Sequence, residues 1–109
     1  MVHGDLVFVS GQLAIDPTTG KLVTGGIEEQ TRRALANVAA ILEAAGTDLA
    51  QVLKATVFVT DISLWGEVNR VYAEVLGAHR PARAVVPTRD LNGGALIEIE
   101  CVAAVKVSR

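Results

Sequence analysis

The pattern of apolar and polar positions divides the chain into alternating β-rich and helical stretches. Leu6 to Leu13 is apolar and rich in β-formers, and the Asp16-Pro17-Thr18-Thr19-Gly20 that follows is dense in turn residues. The chain is therefore expected to reverse there into a short strand at Lys21 to Val23. From Ile27 to Ala45 the period changes. Ile27, Ala34, Leu35, Val38, Ile41, Leu42 and Ala45 recur at helical spacings, with Glu28 and Glu29 opening the stretch and Gly46 closing it. That predicts a helix with one buried stripe. Val52 to Val59 is β-branched and bounded by Asp48 and Asp61, which suits a central strand. Ser63 is placed to cap a second helix whose stripe is Leu64, Val68, Val71, Tyr72, Val75 and Leu76, ending at Gly77. Two more strands are predicted near Arg83 to Thr88 and Leu96 to Val107, separated by the turn-forming Asn92-Gly93-Gly94.

The predicted order is thus ββαβαββ, an α+β fold in which two amphipathic helices cover one face of a sheet and leave the other face to find a partner. In the last strand Ile97, Ile99 and Cys101 alternate with Glu98, Glu100 and Val102, so two carboxylates share one face. At 109 residues, with no linker, repeat or low-complexity tract, residues 1–109 are expected to form a single domain.

Composition adds three constraints. Half of the residues are hydrophobic and the mean hydropathy is +0.40, yet aromatics are only 4%, so Ala, Val, Leu and Ile carry the apolar content. Such a chain has more apolar surface than one subunit hides easily, which leads to the expectation of an oligomer. A net charge of −2 and a pI near 5.6 give no electrostatic footprint for nucleic acid and disfavour RNA binding. Neither a signal-peptide pattern at Met1 to Gln12 nor an apolar run of about 20 residues is present, so a soluble, cytoplasmic protein is expected. The lone Cys101 has no internal disulfide partner, in agreement with a reducing compartment.

The candidate chemistry is sparse. His3 and His79 are far apart and Cys101 has no Cys or His near it, so no metal spacing exists. Cys101 sits at the apolar parity of a β-run, where buried filler is the ordinary role. Gly25-Gly26 and Gly93-Gly94 match neither a P-loop nor a dinucleotide fingerprint and are expected to be turns. Arg83 is different: it opens a strand otherwise made of small and apolar residues, Pro81-Ala82-Arg83-Ala84-Val85-Val86. Local context leaves two readings open, an ordinary one, either an exposed strand-end arginine or an ion pair with a glutamate of the neighbouring strand, and a guanidinium fork for a ligand carboxylate. Glu98 and Glu100 are equally open between a solvated strand face and a carboxylate that handles a water. Asn69 reads as a polar flank of the second helix or a donor to a nearby loop, and Ser10-Gly11-Gln12 as the end of the first strand.

Taken together, several segments resemble the Rid family of imine and enamine deaminases, also known as translation-inhibitor endoribonucleases. They are VSGQLAIDPTTGKLV at the first hairpin, QTRRALANVAAILEAAG on the first helix, VLKATVFVTDI on the central strand, EVNRVYAEVL on the second helix, and RPARAVV followed by GALIEIECVAAV. The resemblance covers nearly the whole chain. It implies a chorismate-mutase-like α+β fold assembled as a homotrimer with pockets at the subunit interfaces. It also implies hydrolysis of imines of 2-aminoacrylate or 2-aminocrotonate to a 2-keto acid and ammonia, without metal or cofactor. By position, Arg83 matches the arginine that binds the substrate carboxylate and Glu98 the glutamate that positions the attacking water. Ser10 and Gly11 match the pocket-lining pair after the first strand, and Asn69 the second-helix asparagine. Two departures are visible: the family's N-terminal segment with a pocket tyrosine has no counterpart before Asp5, and Val85 stands where the family often has cysteine, leaving only its backbone N–H as a donor. The alternative to a deaminase is a module of the same fold that binds a small carboxylate without turnover. An RNA-cleaving activity would rest on the older family label alone, against the acidic pI and the absence of a histidine pair.

Overall fold

The computed structural model describes residues 1–106. Seven elements build it: β1 (Val2–His3), β2 (Leu6–Gln12), α1 (Ile27–Ala44), β3 (Val52–Val59), α2 (Trp65–Leu76), β4 (Ala82–Pro87) and β5 (Ile97–Ala104). They form one five-stranded mixed sheet, ordered β1-β2-β5-β3-β4, with β3 and β4 parallel and the other pairs antiparallel.

The letters of the order agree with the sequence reading, but one strand is a different segment. Lys21 to Val23 does not become a strand. The chain does reverse at Asp16, whose carboxylate accepts from the Thr18 amide and hydroxyl, yet pairing stops at a single bridge between Ile15 and Leu22. The Asn37 side chain of α1 donates to the carbonyls of both Leu13 and Ile15, so this stretch is anchored to a helix rather than to a partner strand. The antiparallel neighbour of β2 is instead β1, ahead of it in the chain. The last strand ends at Ala104: Val105 and Lys106, included in the predicted strand, are not part of it, and Val107 lies outside the described residues.

The β-branched run of β3 makes it the middle of the right half of the sheet, between β5 and β4. Because β2 and β3 both run antiparallel to β5, α1 connects two strands of the same direction with β5 inserted between them. β4 and β5, consecutive in sequence, are therefore not neighbours in the sheet.

Period-two burial along the strands sends one parity to the helices. Val7, Val9, Ala55, Val57, Val59, Ile97, Ile99, Cys101 and Ala103 meet Ala34, Leu35, Val38 and Leu42 of α1 and Val68, Val71 and Tyr72 of α2. Two stripe positions are shifted from expectation: Ile41 and Val75 are 36% exposed, while the polar Gln30 and Thr31 are buried. Their burial is affordable because each is bonded, the Gln30 Oε1 accepting from the Leu96 amide at 2.8 Å and the Thr31 hydroxyl donating to the Ile27 carbonyl at 2.7 Å. The entry to α2 also differs. The cap is Asp61, whose carboxylate accepts from the Ser63 amide at 2.9 Å and starts a short 3-10 turn over Ile62–Leu64, so Ser63 does not itself cap the helix. Gly77 ends α2 at φ +63°, a left-handed conformation that side chains resist.

Among the described residues, no layer covers the opposite face of the sheet. Phe8, Leu53 and Val86 stand 43%, 49% and 38% exposed, with Glu98 and Glu100 among the neighbours on this side.

Candidate active site

The candidate residues fall into two groups. The first lies between α2 and β4. Arg83 pairs with the buried Ala55 in the β3–β4 register, so its side chain rises on the helix-covered face, at the edge strand. There its Nη2 donates to Asn69 Oδ1 at 3.1 Å, and its Cζ stands 4.6 Å from the centroid of Trp65 and 4.5 Å from that of Tyr72. Trp65, Asn69 and Tyr72 are spaced by four and three along α2 and so share one helix face. Asn69, Tyr72, Ala73, Arg80, Pro81 and Arg83 line an open groove of about 440 Å³. Among the described residues no carboxylate lies within ion-pair distance of Arg83. An ion pair with a glutamate of the neighbouring strand is excluded by topology as well, since that neighbour is β3 and not β5. Asn69 accepts from the arginine rather than donating to a loop.

Val85 shares the parity of Arg83 and packs its side chain against the core. The Thr88 amide donates to the Val59 carbonyl, so by strand alternation the amides of Arg83 and Val85 turn to the unpaired edge of β4. The backbone N–H of Val85 thus faces the open edge of the strand that carries Arg83, where its side chain offers nothing polar.

The second group lies on the uncovered face. Between Val9, opposite Cys101, and Gln12, opposite Ile99, β2 carries one extra residue, a bulge at Ser10-Gly11. Glu98 pairs with Phe58 on the outward parity of β3, and its carboxyl leans over Gly11. A Cβ at Gly11 would stand 2.6 Å from Glu98 Cδ and 2.7 Å from Oε1, which no real side chain tolerates. Glycine is required here for the close approach of the carboxylate, not for a turn. Ser10, Gly11 and Glu98 therefore form one cluster, and Arg83, Asn69 and Val85 another, on opposite faces of the sheet.

The remaining candidates take the ordinary role expected of them. Cys101 is 5% exposed and burial, with a smaller push from Glu100, raises its thiol to about 11, far from a reactive thiolate. The ring of His79 is engaged with the Val52 carbonyl at 2.7 Å, and His3 sits in β1. No group of three metal-binding side chains occurs among the described residues, and no helix there is long and apolar enough to cross a membrane.

Sequence reasoning missed the two rings on Arg83. The helical stripe places Tyr72 in the core, where it lies, but says nothing of its contact with Arg83, and Trp65 stands outside that stripe. The available signal was that the only tryptophan and the only tyrosine of the chain flank Asn69 on a single helix face.

The family model described as endoribonuclease L-PSP matches residues 1–105, and the chain belongs to this family, the Rid proteins. A RutC family protein of Pyrococcus horikoshii is 47% identical over 100 residues, covering 92% of this chain and 79% of the relative. The human 2-iminobutanoate/2-iminopropanoate deaminase is 42% identical over 97 residues, covering 89% and 71%. Among solved structures, a putative endoribonuclease of Thermotoga maritima superposes with a TM-score of 0.94 at 48% identity, covering 98% of this chain and 84% of the other.

Proposed function

We propose that the protein is a cytoplasmic hydrolase that converts 2-imino and enamine acids, of the 2-iminopropanoate and 2-iminobutanoate type, to the 2-keto acid and ammonia. The observation that carries this reading is Arg83: a guanidinium held by a neutral amide oxygen and two rings, with no acidic partner among the described residues and its remaining N–H donors free. An arginine kept without a carboxylate suits a ligand that brings one, bound by two parallel hydrogen bonds. The deaminase name carried by relatives at 42–43% identity supplies the reaction class.

In this scheme Arg83 clamps the substrate carboxylate and the Val85 N–H adds a donor beside it. Glu98 accepts a proton from a water as its oxygen bonds to the imine carbon. The C=N π pair moves to nitrogen, which takes up a proton. The hydroxyl proton of the resulting carbinolamine then passes through Glu98 to the amino nitrogen as the C–N bond breaks, the C=O bond forms and ammonia leaves. Orientation and one proton relay supply the rate, the relay contributing a factor of about 10² to 10⁴. Neither metal nor cofactor has a step in it. Because Arg83 and Glu98 occupy opposite sheet faces of one chain, the complete site is assigned to the junction of two copies in a homotrimer, Arg83, Asn69 and Val85 from one and Ser10, Gly11 and Glu98 from the next. Arg83→Ala is expected to abolish keto-acid release from freshly generated 2-aminoacrylate, and unchanged release would refute the scheme.

The same separation of faces favours one second reading, a module that binds small carboxylates without turnover, since within one copy the Arg83 group is never brought against Glu98. Calorimetry with 2-ketobutyrate beside an ammonia-release assay distinguishes them: binding with no release, at concentrations where the protein is oligomeric, supports the module.

A further inference from the structure

Arg83 poses a physical problem that the proposed reaction does not by itself solve. A protein carboxylate on an arginine that must receive a ligand carboxylate would take up in-plane donors and offset the charge that attracts the ligand. Left unheld, its long side chain would lose rotamer freedom at every binding event, a cost of up to about 2 kcal/mol. The faces of the guanidinium offer a surface on which it can be gripped without using any of its N–H donors.

We infer that Trp65 and Tyr72 are positioning residues that clamp the guanidinium of Arg83 by its faces and so pre-orient the anion-binding fork. Residues seven apart on a helix stand about 10 Å apart along its axis. The rings converge from their two turns, so that the Arg83 Cζ lies over both, 4.6 Å from the Trp65 centroid and 4.5 Å from that of Tyr72. Asn69, midway between them on the same helix face, accepts one of the five N–H donors at 3.1 Å and fixes rotation in the plane. The other donors are left for the ligand. The negative faces of the rings attract the cation without neutralising it.

The two rings differ in what surrounds them. Trp65 is half-buried at the start of α2, whereas Tyr72 is 7% exposed and belongs to the core. The Tyr72 hydroxyl is buried with no hydrogen-bond partner among the described residues, and it is the ring that meets the guanidinium. The inference rests on the assignment of Arg83 to carboxylate binding, and it predicts which substitutions that binding tolerates.

The test compares Trp65→Phe and Tyr72→Phe, which keep a ring, with Trp65→Leu, which keeps only apolar bulk. Calorimetry with 2-ketobutyrate and steady-state release of keto acid are measured on the intact oligomer. Both phenylalanine variants should bind within about twofold of wild type. Trp65→Leu should weaken binding and raise KM by roughly five- to thirtyfold, with kcat within about twofold, since Glu98 and its water are untouched. Equal affinities for Trp65→Leu and Trp65→Phe would overturn the inference, as would a tenfold loss on removing the Tyr72 hydroxyl alone. Slow rotation about the Arg83 Nε–Cζ bond, read by nitrogen NMR without ligand, should be present in wild type and lost in Trp65→Leu. If wild type binds no keto acid while that rotation is slow, the function fails and the clamp stands. Fast rotation in the wild type removes the clamp whatever the ligand does.

Discussion

At the scale of single residues, Gly11 is constrained by a neighbouring side chain and not by its own backbone. Gly11 has no side chain because the Glu98 carboxyl occupies the place where a Cβ would be, 2.6 Å from Cδ. The clash falls on the far end of a flexible side chain, so Gly11→Ala is expected to leave the backbone and the melting temperature nearly unchanged while swinging the carboxylate away. Deamination should then fall by about 10² or more, the scale of a lost general base, while 2-ketobutyrate affinity, set by Arg83, stays within a few-fold. A loss of stability comparable to a core substitution, with activity per folded molecule unaltered, would show that Glu98 needs no such approach. The identities of Arg83, Glu98, Asn69, Ser10 and Gly11 as candidates were legible in the sequence through the order of the motifs around them. Their grouping was not. Ala82-Arg83-Ala84-Val85-Val86 has no polar–apolar alternation to reveal which parity faces the helices, and parity alone decides that Arg83 shares a face with Ala55 while Glu98 shares one with Phe58.

At the scale of elements, α1 and α2 are joined on their exposed sides by charge. Arg32 bonds Glu28 and Glu74, and Arg70 bonds Glu28, Glu67 and Glu74, at 2.6 to 3.3 Å. The guanidinium of Arg70 first, and of Arg32 next, holds the Glu28 carboxyl below its ordinary 4.5, and Arg32 does the same for Glu74. Since both groups are depressed in the folded state, their contribution is complete above about pH 4.5 and is lost as pH falls through the lower folded values. The pairs are exposed, so the contribution is modest and salt-sensitive. Arg70→Ala should therefore melt below wild type at pH 7 in low salt. The gap should narrow below pH 4.5 and in molar salt, where the screening length shrinks to about 3 Å. A gap indifferent to both would mean the loss is one of packing. Both helices were legible from their 3.6-residue period, and β3 was legible to the residue from its β-branched run. The error at Lys21 to Val23 has a definite cause: a turn signal shows that the chain reverses, not whether the returning segment finds a free strand edge. Asn37, twenty-two residues beyond Ile15, holds that stretch instead.

At the scale of the whole molecule, the decisive feature is the insertion of β5 between β2 and β3, which no local pattern announces. It puts Glu98 over the Ser10-Gly11 bulge and leaves Arg83 at the far edge on the other face. A site needing both residues then has to be shared between chains, which is testable without knowing the assembly's geometry. Arg83→Ala and Glu98→Gln are each expected to be inactive alone. When the two are unfolded together and refolded as a mixture, some junctions receive Arg83 from the Glu98→Gln chain and Glu98 from the Arg83→Ala chain, and these are wild-type sites. Random assembly of a cyclic oligomer makes them roughly one quarter of all junctions, so about a quarter of wild-type activity should return. The regained activity should appear only in the mixed oligomers, separable by a charge tag on one chain. If the site lay within a single chain, every junction would remain defective and the mixture would stay as inactive as its parts.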